Sequence, residues 1–386
     1  MAKQEIMNLH QAPEPTEQTS ITFARPQLIF FTELEDNQLR QLLLDNGVLA
    51  ELAAQQYGLS LATVALNDTQ AEVVRLLNRC GIPTMAWLRL SPAEGFWFNL
   101  QNYPQAVERY RSFHIWAQTH KLHFDAVGLD IEPPFSAVAH RQQWGLRSIL
   151  RHLWLAHENV LYPAAQTAYN DLIVEIHHDG YEVHTYQLPL LADDRRAGTT
   201  LIQRAFDILD LPADVEVLMC LSSITLEQMG HDLSGALIAS YGPSADSIGV
   251  GHTGVASDTT DPNAMKLPPL SWASLQRDLL LAAHYTDVIY VFSLEACVAH
   301  GILPHIATLN WEQEPRPCLR QRLLISTLRL SLLFLLLLAR FHRMLLAWMG
   351  WVLAAVLCIQ HVRRWYAARS CQPDRADVGG SYPEGQ

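Results

Sequence analysis

Eight short β-rich runs, each followed by a longer helical pattern, lie between residues 25 and 312 of this 386-residue chain. That alternation is the mark of parallel βα units, and the count predicts an α/β fold of the (β/α)8 TIM-barrel type, which usually needs about 250 residues. An open doubly wound sheet is the competitor. It would carry a Gly-rich phosphate turn after its first strand, where this chain has Phe31-Thr-Glu-Leu-Glu35. Beyond the barrel, two apolar runs predict a C-terminal transmembrane helical hairpin.

The predicted strands are Gln27–Glu33, Leu61–Leu66, Thr84–Leu90, Ala126–Glu132, Glu182–Leu188, Val215–Ser222, Ser247–His252 and Val288–Leu294. Between them Asp36–Tyr57, Ala71–Cys80 and Pro104–His120 read as helical. In the last of these Val107, Tyr110, Phe113 and Trp116 recur every three residues, which gathers them on one buried stripe. Residues 1–24 are polar, contain two prolines and lack the apolar core of a secretory signal; they read as a flexible lead-in.

Composition narrows the function classes. An apolar content of 49% excludes disorder as a description of the whole chain. With 39 acidic against 27 basic residues the chain should repel phosphate, so no nucleic-acid partner is expected. The charge is unevenly spread: residues 313–386 hold 10 basic and 4 acidic residues, leaving 17 and 35 in residues 1–312. An acidic body thus carries a basic, apolar tail. The six cysteines (Cys80, Cys220, Cys297, Cys318, Cys358, Cys371) are scattered without a C-x-x-C pair, the pattern of free thiols rather than of a zinc site or disulfide scaffold.

Residues 313–366 read as a basic linker and membrane anchor, and residues 367–386 as a disordered tail. The apolar runs 323–339 and 344–360 each span 17 residues, about 25 Å as helix, short for a bilayer core. Arg340-Phe-His-Arg343 separates them. One reading is a tight hairpin; another is a single crossing by the second run, with the first in the interface and Arg329 snorkelling. Flanking Arg316, Arg320 and Arg322, with Arg363, Arg364 and Arg369, favour a cytoplasmic barrel by the positive-inside rule.

Barrel enzymes keep their chemistry on inward residues at the C-terminal ends of strands, and side chains alternate faces along a strand. On the fourth strand Val127, Leu129 and Ile131 form the outward, apolar set. Gly128, Asp130 and Glu132 form the inward one. Two neighbouring carboxylates there are costly to desolvate, and their proximity should raise one pKa toward neutrality, giving a proton donor.

The segment Asp125-Ala-Val-Gly-Leu-Asp-Ile-Glu132 resembles the D-G-x-D-x-D-x-E signature of family 18 glycoside hydrolases, chitinase-like TIM barrels. The resemblance implies Glu132 as general acid and Asp130 as the residue orienting the substrate's N-acetyl group. Gly128 stands where that family has Asp, Ala126 where it has Gly, and Ile131 where it has an aromatic residue. A glycosidase-like barrel, rather than substrate-assisted chitinase chemistry, is therefore the expectation.

Other strand ends supply the rest. Trp87 and Arg89 share a face of the third strand, and Glu94-Gly-Phe-Trp-Phe-Asn99 follows, so Trp87, Arg89, Trp97 and Asn99 are expected to line a sugar pocket, rings stacking and amides bonding hydroxyls. His184 and Tyr186 share the inward face of the fifth strand with Glu182 and are expected to contact the substrate, His184 as a second acid/base or an orienting donor. Ser293 and Glu295 end the eighth, and Glu295 is the candidate second carboxylate a glycosidase needs; Glu33 and Glu35 are weaker substitutes. The expected function is cleavage of a glycosidic bond in a carbohydrate or glycoconjugate at a lipid bilayer, with no cofactor and no metal. Two rivals remain. One is a divalent-metal sugar isomerase or epimerase using Glu132, His184, His252 and Glu295. The other is a non-catalytic barrel that binds a glycan or protein.

Overall fold

A computed structural model describes residues 25–45, 47–134, 159–252 and 270–370. The expected lead-in through residue 24, Cys371 and the tail from residue 371 onward lie outside the described residues. Eight parallel strands close into a barrel in sequence order: β1 (Gln27–Thr32), β2 (Gly58–Thr63), β3 (Thr84–Leu88), β4 (Ala126–Asp130), β5 (Glu182–Gln187), β6 (Val215–Met219), β7 (Ser247–Gly251) and β8 (Val288–Phe292). The last pairs with the first, Phe30 opposite Val291. The predicted (β/α)8 barrel is the observed fold.

Two local differences have physical causes. The expected helix Asp36–Tyr57 is two helices, Asp36–Leu44 and Val48–Ala54, parted at Gly47, whose φ of +75° is left-handed and suits glycine. The second strand starts at Gly58, earlier than predicted, and ends at Thr63. There the Glu35 carboxylate accepts the backbone N–H groups of Val64 (2.5 Å) and Ala65 (3.1 Å), so those donors leave the strand ladder.

Strand parity divides the core. Outward Leu28, Phe30, Leu59, Leu61, Val127 and Leu129 pack with the surrounding helices. The predicted stripe on the helix Tyr103–His120 joins them through buried Tyr110, Phe113 and Trp116. Inward Phe31, Trp87, Tyr186, Tyr290 and Phe292 fill the barrel, with ring centroids such as Phe31–Tyr186 at 4.7 Å and Phe31–Trp87 at 5.1 Å. Their hydroxyls are not left bare: Tyr186 shares a 2.8 Å hydrogen bond with Ser60, and Tyr290 bonds His184 Nδ1. Gly128 is the space that admits Tyr186. A Cβ there would meet the tyrosine hydroxyl and lie 2.7 Å from Cε2 and Cζ of its ring.

The chain is helical from Leu319 to Ser370, 52 residues. Within it two apolar helical stretches, Leu319–Phe341 (mean hydropathy 2.0) and Met344–Trp365 (1.8), are each long and apolar enough to cross a membrane. By length and composition they could form the expected hairpin; the helix runs on through Arg340-Phe-His-Arg343, which separates the two runs in sequence. The two stretches differ in their surroundings. The first leans on the barrel helices Leu190–Ala197 and Ser234–Tyr241. Arg329 Nη2 donates to Asp193 Oδ1 (2.8 Å), its Nη1 donates to the backbone oxygen of Ser240, and its guanidinium sits 3.7 Å from the Tyr241 ring centroid. Tyr241 in turn donates to Asp193 Oδ2 (2.6 Å). Arg329 therefore does not snorkel: its counter-charge is a barrel carboxylate whose side chain is only 2% exposed.

Two outcomes follow from this packing. Gly128→Ala must displace a buried ring, an overpacking cost of about 1–3 kcal/mol, and should lower the melting temperature by about 2–5 °C; an unchanged melting curve would contradict the packing described. Arg329→Leu leaves Asp193 buried without its cation and should cost about 3–5 kcal/mol, read as a lower urea midpoint for the detergent-solubilised full chain.

Candidate functional site

Barrel closure brings the ends of β1, β3 and β4 to one mouth. Trp87 of β3 lies opposite Gly128 of β4 in register, and two residues on, the Trp87 indole Nε1 donates to Asp130 Oδ2 at 3.1 Å. Asp130 is 5% exposed. Burial raises its pKa to about 7; nearby Arg89 and the indole bond pull the other way, and Glu33 adds to the rise. Desolvation wins because the surroundings are aromatic rather than aqueous.

Arg89 lies past the end of β3. Its Nη1 donates to Glu33 Oε1 at 2.9 Å, and its guanidinium lies 5.0 Å from the Trp87 ring centroid and 5.9 Å from that of Phe96. Its Nε is buried with no hydrogen-bond partner among the described residues. Such a donor is costly unless another acceptor arrives. The mouth thus holds a buried carboxyl, a carboxylate–guanidinium pair and an open donor on an aromatic floor.

The loop after β3 is fastened to the end of β4. Phe98 N donates to the Asp130 carbonyl (2.9 Å) and Glu132 N to the Phe98 carbonyl (3.1 Å), and the Phe96 ring of the same loop lies beside Arg89. Glu132 is partly buried just past the strand end. Asn99 is 1% exposed, and its amide serves the loop itself, donating to the Trp97 carbonyl and accepting from Gln101 N. Tyr186 lies in the floor under the mouth, bonded to Ser60. His184, near the N-terminal end of β5, bonds Tyr290 and stands 3.6 Å from Glu182; burial lowers its pKa.

Glu295 belongs to the first turn of the helix Leu294–Ala299, which Ser293 caps. Its Oε1 accepts the backbone N–H of Glu33 (3.1 Å), and burial raises its pKa. Its described bond braces the β1 end and does not reach Asp130. His252 is buried after β7, its N–H on the Phe292 carbonyl. Among the described residues no three His, Cys, Asp or Glu side chains gather as a metal site. Glu33 was legible only as a weaker substitute at the end of the first strand. Its tie to Arg89 needed the register of β1, β2 and β3, which parity alone does not supply.

The Asp130 shift has a sign that can be measured. Below about pH 4 both folded and unfolded chains hold its proton and the group is neutral to stability. Between about pH 4 and 7 the unfolded carboxyl ionises and the folded one resists, so stability falls as pH rises, by up to about 4 kcal/mol above pH 7. Asp130→Asn should flatten that slope. Urea midpoints at pH 4.5 and 8 should converge in the variant relative to the unmodified chain, whereas equal slopes in both proteins would show that Asp130 ionises normally.

No protein-family model matches the chain, and no curated protein matches it in sequence. Solved structures do match. The glycoside hydrolase domain of PgaB (BpsB) from Bordetella bronchiseptica is 13% identical, covering 74% of this chain and 98% of its own at a TM-score of 0.43. The 3-keto-D-glucoside 4-epimerase YcjR from E. coli is 11% identical, covering 74% and 99% at 0.40. A GH5-4 broad-specificity endoglucanase from an uncultured bacterium is 11% identical, covering 68% and 84% at 0.39. The structural neighbours thus include glycoside hydrolases and a sugar epimerase.

Proposed function

We propose that this chain is a glycoside-hydrolase-like barrel, tethered to a membrane, that cleaves a glycosidic bond by carboxylate acid/base chemistry. The observation that carries the reading is Asp130: a carboxyl raised to about 7 by burial at the C-terminal mouth of the barrel, where a group poised near the working pH is most useful for proton transfer. Glu132, on the same strand end, is the general acid that meets the leaving-group oxygen. Asp130 lies beneath it as the buried proton-holding partner.

Glu33 is the better second carboxylate. It is one-third exposed, held by Arg89, and suited to receive a proton from attacking water. Glu295 then serves as a positioning residue through the Glu33 backbone. The Arg89 Nε without a partner and the partly exposed rings of Phe96 and Trp97 supply a hydroxyl-binding donor and stacking faces for a sugar.

The full chain in detergent, assayed against a panel of chromogenic glycosides and oligosaccharides, is expected to turn over at least one of them. Glu132→Gln and Asp130→Asn should each slow that reaction by about 10²- to 10⁴-fold, with sugar binding retained. No turnover by the unmodified chain, alongside sugar binding, favours a binding barrel. Activity lost to a chelator and restored by a divalent ion favours the isomerase or epimerase reading.

A further inference from the structure

We infer that the chain crosses the bilayer once, through Met344–Trp365, and that Leu319–Phe341 is a flank of the barrel rather than a second span. This rests on the membrane-anchor reading and adds the number of crossings to it. The first stretch is held to the barrel at three levels: Gln321 Nε2 donates to the Asp232 carbonyl (3.1 Å), Arg329 clasps Asp193, and Arg340 Nη1 donates to the Ala197 carbonyl (2.6 Å). Carrying that stretch through hydrocarbon would strip Arg329 from Asp193 and leave a buried carboxylate without its cation.

Among the described residues no comparable side-chain bond ties residues 344–364 to the barrel. Its 18-residue apolar window is 0% buried, and Trp348, Met349, Trp351 and Leu353 are all at least 60% exposed. Its 22 residues span about 33 Å, a bilayer core's thickness. Arg340 and Arg343 precede it and Arg363 and Arg364 close it, and no acidic residue occurs from 315 to 373. Its occupant is therefore lipid, with arginines at both headgroup layers. On the first stretch, the side turned from the barrel, with Leu323, Leu330 and Phe334 exposed, meets the headgroup–acyl boundary.

One crossing puts the barrel and the C-terminus on opposite sides, and native cysteines report on both. Cys80 is exposed on the barrel and Cys371 follows the helix. Two full-length variants, each keeping one of these and the buried Cys220 and Cys297, with Cys318 and Cys358 changed to Ser, are reconstituted in sealed vesicles of one orientation. An impermeant maleimide should label one variant and spare the other until detergent is added. Equal labelling, or equal protection, of both overturns the single crossing. Release of the chain from vesicles by alkaline carbonate overturns the membrane reading itself.

Discussion

The desolvation of Asp130 organises this molecule's mouth. Closing eight strands puts every second side chain inside, and in this chain the inside is a stack of rings from Phe31, Trp87, Tyr186, Tyr290 and Phe292. A carboxyl set on top of that stack loses water on its lower side. The indole of Trp87 and the charge of Arg89 return part of what is lost, but Arg89 is shared with Glu33. The carboxyl is left able to hold a proton near neutral pH. Around it stand the loop clipped to the Asp130 carbonyl, the brace from Glu295 to Glu33, and the glycine at position 128 that makes room for the ring below.

That glycine is itself a packing requirement. An acidic residue at 128 would occupy the volume of the Tyr186 ring, and Tyr186 is fixed from across the barrel by Ser60. The inward acids of this chain are accordingly drawn from β1 and β4 together rather than stacked along β4 alone.

Much of the architecture was legible in the sequence because it depends on short-range periodicity. The eight strands, the inward parity of Asp130, and the shared face of Trp87 and Arg89 required only period-two alternation. The end of β2 at Thr63 did not, since Glu35 captures the amides of the two residues that follow it. Partnerships across the barrel were hidden for the same reason. Glu33 with Arg89, Glu295 with the Glu33 amide, and Asn99 turned to its own loop are contacts between segments whose relative height is fixed only by register. In the tail, hydropathy identified both apolar stretches but could not reveal that Arg329 answers Asp193, a residue 136 positions earlier.

The measurement closest to the central claim is the titration of Asp130 itself. Carboxyl carbons of aspartate-labelled full-length protein in detergent can be followed by NMR across pH, with the Asp130 signal assigned by its loss in Asp130→Asn. The midpoint should fall near 7, well above an ordinary aspartate. A midpoint at or below about 4 would mean that the carboxyl is solvated or fully paired, and would contradict the account.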